Sequence, residues 1–258
     1  MKRIDLVQIP HDVKVGDVCG EIIPNIVEDT IFVADGEPIG FYMREIPEKL
    51  RKLIEVANAE FLSDRVPKST MNRTSGEQGL TERVQQFSTI LGGVPPRPHM
   101  KRPYPSISSV HQVKSAQTFI KAMLLAADES AHVIKQITPN IYDRQKSIIA
   151  EKIPPRFRFG ELFTSSISNF NISASFHRDA ANLEGCVNVI IAKKHNARGG
   201  NTTVPDYGAT MDSRDNSMLV YPAWRNVHGV TPIIPTKEGG YRNSLVFYPL
   251  KAFANYWD

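Results

Sequence analysis

Cysteine is almost missing from this 258-residue chain, with only Cys19 and Cys186 present. Two thiols, one of them inside the apolar run around Cys186, cannot staple a small disulfide-held fold, and they point to a reducing compartment. Long apolar runs are missing as well. No stretch reaches the roughly 18 residues that a membrane-spanning helix needs, and the opening MKRIDLVQIPHD has no apolar core of a secretory leader. A soluble, intracellular, cytoplasmic protein without a membrane partner is expected. No internal repeat and no low-complexity linker appears, which excludes a solenoid. Gly199-Gly200 opens no phosphate-cradling Gly-Lys helix, and Ser173 and Ser175 lie in no Gly-x-Ser-x-Gly elbow, which disfavours nucleophilic hydrolysis. Charge of one sign is in mild excess only, at +4, which permits a polyanionic partner without requiring one.

What is present suffices for one sizeable core, since 41% of the residues are hydrophobic. Residues 30–42 place two strand-like runs around Asp35-Gly36, a pair suited to a tight hairpin turn. Ile46, Leu50, Leu53, Ile54, Ala57 and Phe61 then recur on one helical face, and Phe119, Met123, Ala126, Ser130, Val133 and Ile137 make a second stripe within 115–138. A shorter helix is predicted over 141–152. Between the first two helices, residues 63–108 carry Gly92-Gly93 and Pro95, Pro96, Pro98, Pro103 and Pro105, so a long ordered loop or arm is expected there, with no central strand. After Pro155 the chain reads as strands at 157–164, 167–177, 186–192, 217–222, 229–234 and 242–249. Helices first and short strands afterwards predict an α+β, jelly-roll type barrel buttressed by helices.

The strand from Asn169 to His177 alternates strictly, with every odd position polar and every even position apolar. Alternation aims Asn169, Asn171, Ser173, Ser175 and His177 into a polar cavity, with Phe170, Ile172, Ala174 and Phe176 on the other side. His177 and Asp179 can then converge on one point. A histidine, a nearby carboxylate and a distant second histidine, here His228 after the 217–222 strand, form the facial triad of non-haem Fe(II) oxygenases, which leaves coordination positions open. Arg242 and Ser244 share one face of the last strand, and a guanidinium fork suits the distal carboxylate of 2-oxoglutarate. Asn171 and Ser173 are candidates to position cosubstrate or base. His195 is a rival ligand, but it sits in a Gly-rich basic turn. His11, His99, His111 and His132 read as structural or solvent-exposed.

Residues 65–102 hold seven cations, Arg65, Lys68, Arg73, Arg83, Arg97, Lys101 and Arg102, against Glu77 and Glu82. A basic, proline-rich arm of this kind can track phosphates while the barrel receives a flipped base, with Arg97, Lys101, Arg102 and Arg73 as contacts. An ordinary solvated arm has the same composition.

On His177-Arg178-Asp179, His228 and Arg242-Asn243-Ser244, residues 160–250 resemble the Fe(II)/2-oxoglutarate-dependent dioxygenase superfamily. That resemblance implies a double-stranded β-helix over 156–258, with 1–155 supplying the hairpin, supporting helices and basic arm of a single integrated domain. It also implies Fe(II) and 2-oxoglutarate as cofactors, O2 as cosubstrate and room for ascorbate as accessory reductant. Gly199-Gly200-Asn201 through Pro205-Asp206-Tyr207-Gly208, and Asn226-Val227-His228-Gly229-Val230, are similar to the TET/base-J-binding-protein branch, whose members oxidise the methyl group of pyrimidines in nucleic acid. The segment from Gly92 to Arg102 resembles short viral and fungal relatives, for which the host cytoplasm would be the setting of a viral member. The zinc-binding cysteine-rich region of animal TET enzymes has no counterpart. The implied activity is hydroxylation of the 5-methyl group of 5-methylcytosine or thymine in DNA. A hydroxylase of a protein side chain or small metabolite, and a non-catalytic nucleic-acid-binding barrel, use the same residues differently.

Overall fold

Strands that face two different neighbours set the layers of this fold. The structure, a computed structural model, describes residues 1–70 and 85–257. One ten-stranded sheet runs in the order Lys2–Asp5, Thr30–Ala34, Glu37–Met43, Met218–Tyr221, Asn188–His195, Tyr241–Tyr248, Ser165–Phe170, Phe87–Val94 and Ser69–Thr70, with Ser106–Ile107 also paired to Phe87–Val94. A smaller sheet holds Ala209–Met211, Thr202–Val204, His228–Val230 and Ala174–His177 in that order. These sheets form the jelly-roll core. The hairpin turns at Asp35 and Gly36, both at positive φ (54° and 81°), and it extends the large sheet at one side.

Among the described residues, the α-helices α1 (Glu48–Leu62), α2 (Gln117–Ile137) and α3 (Pro139–Lys152) accompany the large sheet. Leu50, Ile54, Ala57 and Phe61 of the first predicted stripe are fully buried, as are Phe119, Met123, Ala126 and Ser130 of the second. The apolar ones among them share one core with Val189, Ile191, Val220, Leu245 and Phe247 of the sheet. Each such aliphatic or aromatic side chain contributes about 1.5–3 kcal/mol of burial. Because successive side chains point to opposite faces, the alternate residues Ile190, Tyr221, Arg242, Ser244, Val246 and Tyr248 turn away from the helices and line a cavity. The buried Gln145 of α3 ties helix to barrel: its amide donates to Leu162 O at 2.9 Å, and Val187 N–H donates to its Oε1 at 2.8 Å. No helix among the described residues is long and apolar enough to cross a membrane.

Three sequence expectations fail here. Phe87–Val94 is a strand inside the large sheet, where a loop was expected. Its glycines serve close approach: at Gly92, with φ of +75°, a Cβ would lie 2.6 Å from Thr164 O, and at Gly93 one would lie 2.5 Å from the Phe253 ring. The prolines start only after the strand has ended. Residues 157–164 form no strand; Phe159 and Phe163 instead bridge around Gly160, which has a positive φ of 66°. The strand expected over 167–177 is broken, because Asn171 takes a left-handed φ of 53° between Ser165–Phe170 and Ala174–His177.

Candidate metal centre and cosubstrate cavity

A cavity of about 350 Å³ lies between the two sheets. Ala174–His177 and His228–Val230 pair antiparallel, with His177 directly opposite His228 and a register shift between His228 and Val230. The imidazole centroids are 4.3 Å apart. Asp179 follows the first of these strands, with Oδ1 at 3.5 Å from His177 Nε2. One ligand atom from each of His177, Asp179 and His228 falls within 4.8 Å of the others, a spacing that can hold one metal ion.

The donor set fits such an ion chemically. His177 Nδ1 lies 2.8 Å from Ser175 O and His228 Nδ1 lies 3.1 Å from Asn226 O. A carbonyl can only accept, so both Nδ1 atoms carry the proton and both Nε2 lone pairs are left for the metal. His228 is buried, and desolvation, aided by the neighbouring His177, lowers its pKa to about 4, which keeps it neutral. Burial pushes the Asp179 carboxyl up. The neighbouring His177 and His228 and the Asn188 amide outweigh it, so its pKa is lowered overall. Asn188 Nδ2 donates to Asp179 Oδ2 at 3.2 Å, and Asn182 Nδ2 holds Asn188 Oδ1 at 2.9 Å.

Arg242 lies in the same cavity, 3% exposed. Its Nε donates to Ser213 Oγ at 3.0 Å, and no carboxylate pairs with it among the described residues. Burial lowers its pKa to about 10, which still leaves it charged at neutral pH. A buried guanidinium without a protein carboxylate favours an anionic ligand. Ser244, two positions on, lines the same wall.

The structure brings together His177, Asp179, His228, Arg242 and Ser244 around this one cavity. It does not bring Asn171 or Ser173 there. The left-handed turn at Asn171 reverses the alternation, so Ile172 and Ala174 face the cavity in their place. Asn171 instead clamps the neighbouring strand, its N–H donating to Arg242 O and its Oδ1 accepting from Arg242 N–H, both at 2.9 Å. His195 is exposed and outside the metal cluster. Arg97 and Arg102 pair by their backbones around Pro98–Met100, Lys101 and Arg102 are exposed, and Arg73 lies outside the described residues. Sequence reading missed Asn182 and Asn188. A polar residue opening an apolar strand, as Asn188 does, was the available signal.

Fold and donor set together define an oxygenase of the Fe(II)/2-oxoglutarate class. Residues 97–251 match Tet_JBP, the oxygenase domain of the 2OGFeDO superfamily, and the chain belongs to this family. The enzyme is thus a dioxygenase with Fe(II) and 2-oxoglutarate as cofactors. Among solved structures it is similar to NgTET1 in complex with 5mC DNA, at 12% identity and a TM-score of 0.61, over 95% of this chain and 84% of that one. A 2OG-Fe(II) oxygenase family protein from Burkholderia pseudomallei is similar at 14% identity and a TM-score of 0.47, over 78% of this chain and 81% of that one. A full-length Neurospora crassa protein in complex with alpha-KG gives 12% identity and a TM-score of 0.39, over 81% of this chain and 74% of that one. No curated protein matches by sequence.

Proposed function

We propose that this enzyme hydroxylates the 5-methyl group of a pyrimidine, 5-methylcytosine or thymine, in DNA. In this reading His177, Asp179 and His228 hold Fe(II), while Arg242 and Ser244 bond the distal carboxylate of 2-oxoglutarate. Bound iron, with 2-oxoglutarate and dioxygen, supplies the oxidising power that turns a C–H bond into C–OH. The chain's own part is to orient both and to keep water from the methyl group with the apolar walls Ile167, Ile172, Ile190, Val246 and Leu250.

The observation that carries the nucleic-acid substrate is the set of cations beside the cavity. Arg178 is exposed between His177 and Asp179, Lys251 is exposed next to the lining residue Leu250, and the charge of Arg97 reaches the lining residue Tyr248. Among the described residues none of the three forms a salt bridge, although the charge of Arg178 also reaches the Asp206 carboxylate. Cations around an apolar pocket suit a phosphate backbone whose target base has left the stack. The similar fold of NgTET1 is one that carries 5mC DNA.

The test is incubation of the iron-loaded enzyme and 2-oxoglutarate with methylated and with thymine-containing DNA, followed by digestion to nucleosides. A hydroxymethyl pyrimidine is the expected product. Succinate formation with no oxidised pyrimidine in either DNA overturns the reading and assigns the barrel to another substrate.

A further inference from the structure

The N-terminal segment ahead of the hairpin crosses the smaller sheet from edge to edge. At the edge strand Ala174–His177, Gly16 N–H donates to Phe176 O at 2.8 Å and Phe176 N–H donates to Asp17 O at 2.9 Å. At the opposite edge, Asn25 and Ile26 N–H both lie 3.0 Å from Thr210 O. Between them Cys19 packs so closely on Gly229 that a Cβ there would lie 3.0 Å from the Cys19 Cβ. Residues outside the barrel strands therefore contact both histidine-bearing strands, by hydrogen bonds to Phe176 and by packing on Gly229.

Just ahead of this crossing, in the same N-terminal segment, a polar relay reaches His228. Ile9 N–H donates to Asp206 O at 2.8 Å, and His11 Nε2 lies 2.7 Å from Asp206 Oδ1. The other carboxylate oxygen, Asp206 Oδ2, accepts from Asn226 Nδ2 at 2.5 Å. Asn226 O in turn takes the Nδ1 proton of His228 at 3.1 Å. Burial raises the Asp206 pKa, but the bonds from Asn226 and His11 outweigh it and hold the group ionised. Asp206 has thus spent one oxygen on the strap and one on the turn that carries the carbonyl acceptor of His228. That acceptor fixes the tautomer and ring plane of the imidazole, and so the direction of its Nε2 lone pair.

We infer that Asp206 is a positioning residue for the metal centre, acting through Asn226 on His228, and that His11 of the N-terminal strap completes this relay. The inference rests on His228 as an iron ligand and is independent of which substrate is oxidised. An outer carboxylate of this kind tunes metal affinity, where a loss of about 10–100-fold accompanies its removal.

The experiment is anaerobic titration of the full chain with Fe(II) in the presence of 2-oxoglutarate, read by the visible charge-transfer band of the chelate, alongside the thermal midpoint of the metal-free protein. Asp206→Ala is expected to weaken Fe(II) binding about 10–100-fold. His11→Ala is expected to cause a smaller loss, restored by His11→Gln, whose side-chain amide can again donate to Asp206. A purely structural role would lower the thermal midpoint and leave Fe(II) affinity at the wild-type value wherever the variants are folded, and that result overturns the inference. If Asp206→Ala does not fold, the His11 pair decides. His228→Ala separates the two failures: a band kept there sinks the ligand assignment itself, whereas a band lost there and unchanged in the Asp206 and His11 variants sinks only the relay.

Discussion

His177 and His228 stand directly opposite one another on neighbouring antiparallel strands, their ring centroids 4.3 Å apart and their planes tilted by 55°. A slip of one residue in either strand would turn an imidazole to the other face of the sheet, so the strand register and the metal geometry are one constraint. Asp179, just beyond its strand, is positioned differently: its N–H donates to Ala223 O at 3.2 Å and its carboxylate leans on Asn188.

Asn188 is therefore expected to matter out of proportion to its position. Asn188→Leu removes the donor to Asp179 and leaves the buried Asn182 amide without its acceptor. Fe(II) affinity should fall about 10–100-fold, and the stranded amide should cost about 1–3 kcal/mol. Equilibrium dialysis with Fe(II) and urea unfolding check the two separately; unchanged Fe(II) affinity would show that Asp179 needs no such support.

Arg242 tests the cosubstrate end. Removing a buried charge partner costs about 2–5 kcal/mol, so Arg242→Met should raise the 2-oxoglutarate KM for succinate formation by about 30-fold or more. Arg242→Lys should fall between, because an ammonium cannot grip a carboxylate with a planar fork. A wild-type KM in Arg242→Met places the anion elsewhere.

Stability should depend on pH through His228. Its folded pKa of about 4 lies below the ordinary 6.5, so between these values the unfolded chain binds a proton that the folded chain does not. Stability then rises with pH across this window, and falls by about 3 kcal/mol as the metal-free protein is taken from pH 6.5 to 4. Asp179 acts lower, since its lowered pKa gives stability that is lost only below the ordinary 3.8. Urea unfolding at pH 6.5 and 4.5 should show a shallower dependence in His228→Asn than in the wild type; equal slopes contradict the assignment.

Gly92→Ala probes the strand that the sequence concealed. A methyl group there meets Thr164 O at 2.6 Å and forces a non-glycine residue to φ of +75°, which should cost at least about 1–3 kcal/mol. A thermal midpoint equal to the wild type would mean that Phe87–Val94 does not pack against Ser165–Phe170 as described.

The amino-acid sequence by itself determined the hairpin at Asp35-Gly36, the helical stripes of α1 and α2, and the candidate residues His177, Asp179, His228, Arg242 and Ser244, because local periodicity and residue chemistry carry those signals. The same local logic misread Asn171 and Ser173, since nothing in an alternating run announces a left-handed residue that reverses the faces. It also misread Gly92-Gly93 as a loop signal, because close approach of a distant backbone or ring leaves no local trace. Only the tertiary structure decided that Asn188 steadies Asp179, that Arg242 is buried without a carboxylate partner among the described residues, and that His11 meets Asp206 across 195 residues of chain. These are pairings between segments remote in sequence, and packing of the two sheets and the N-terminal strap is what brings them within hydrogen-bond reach.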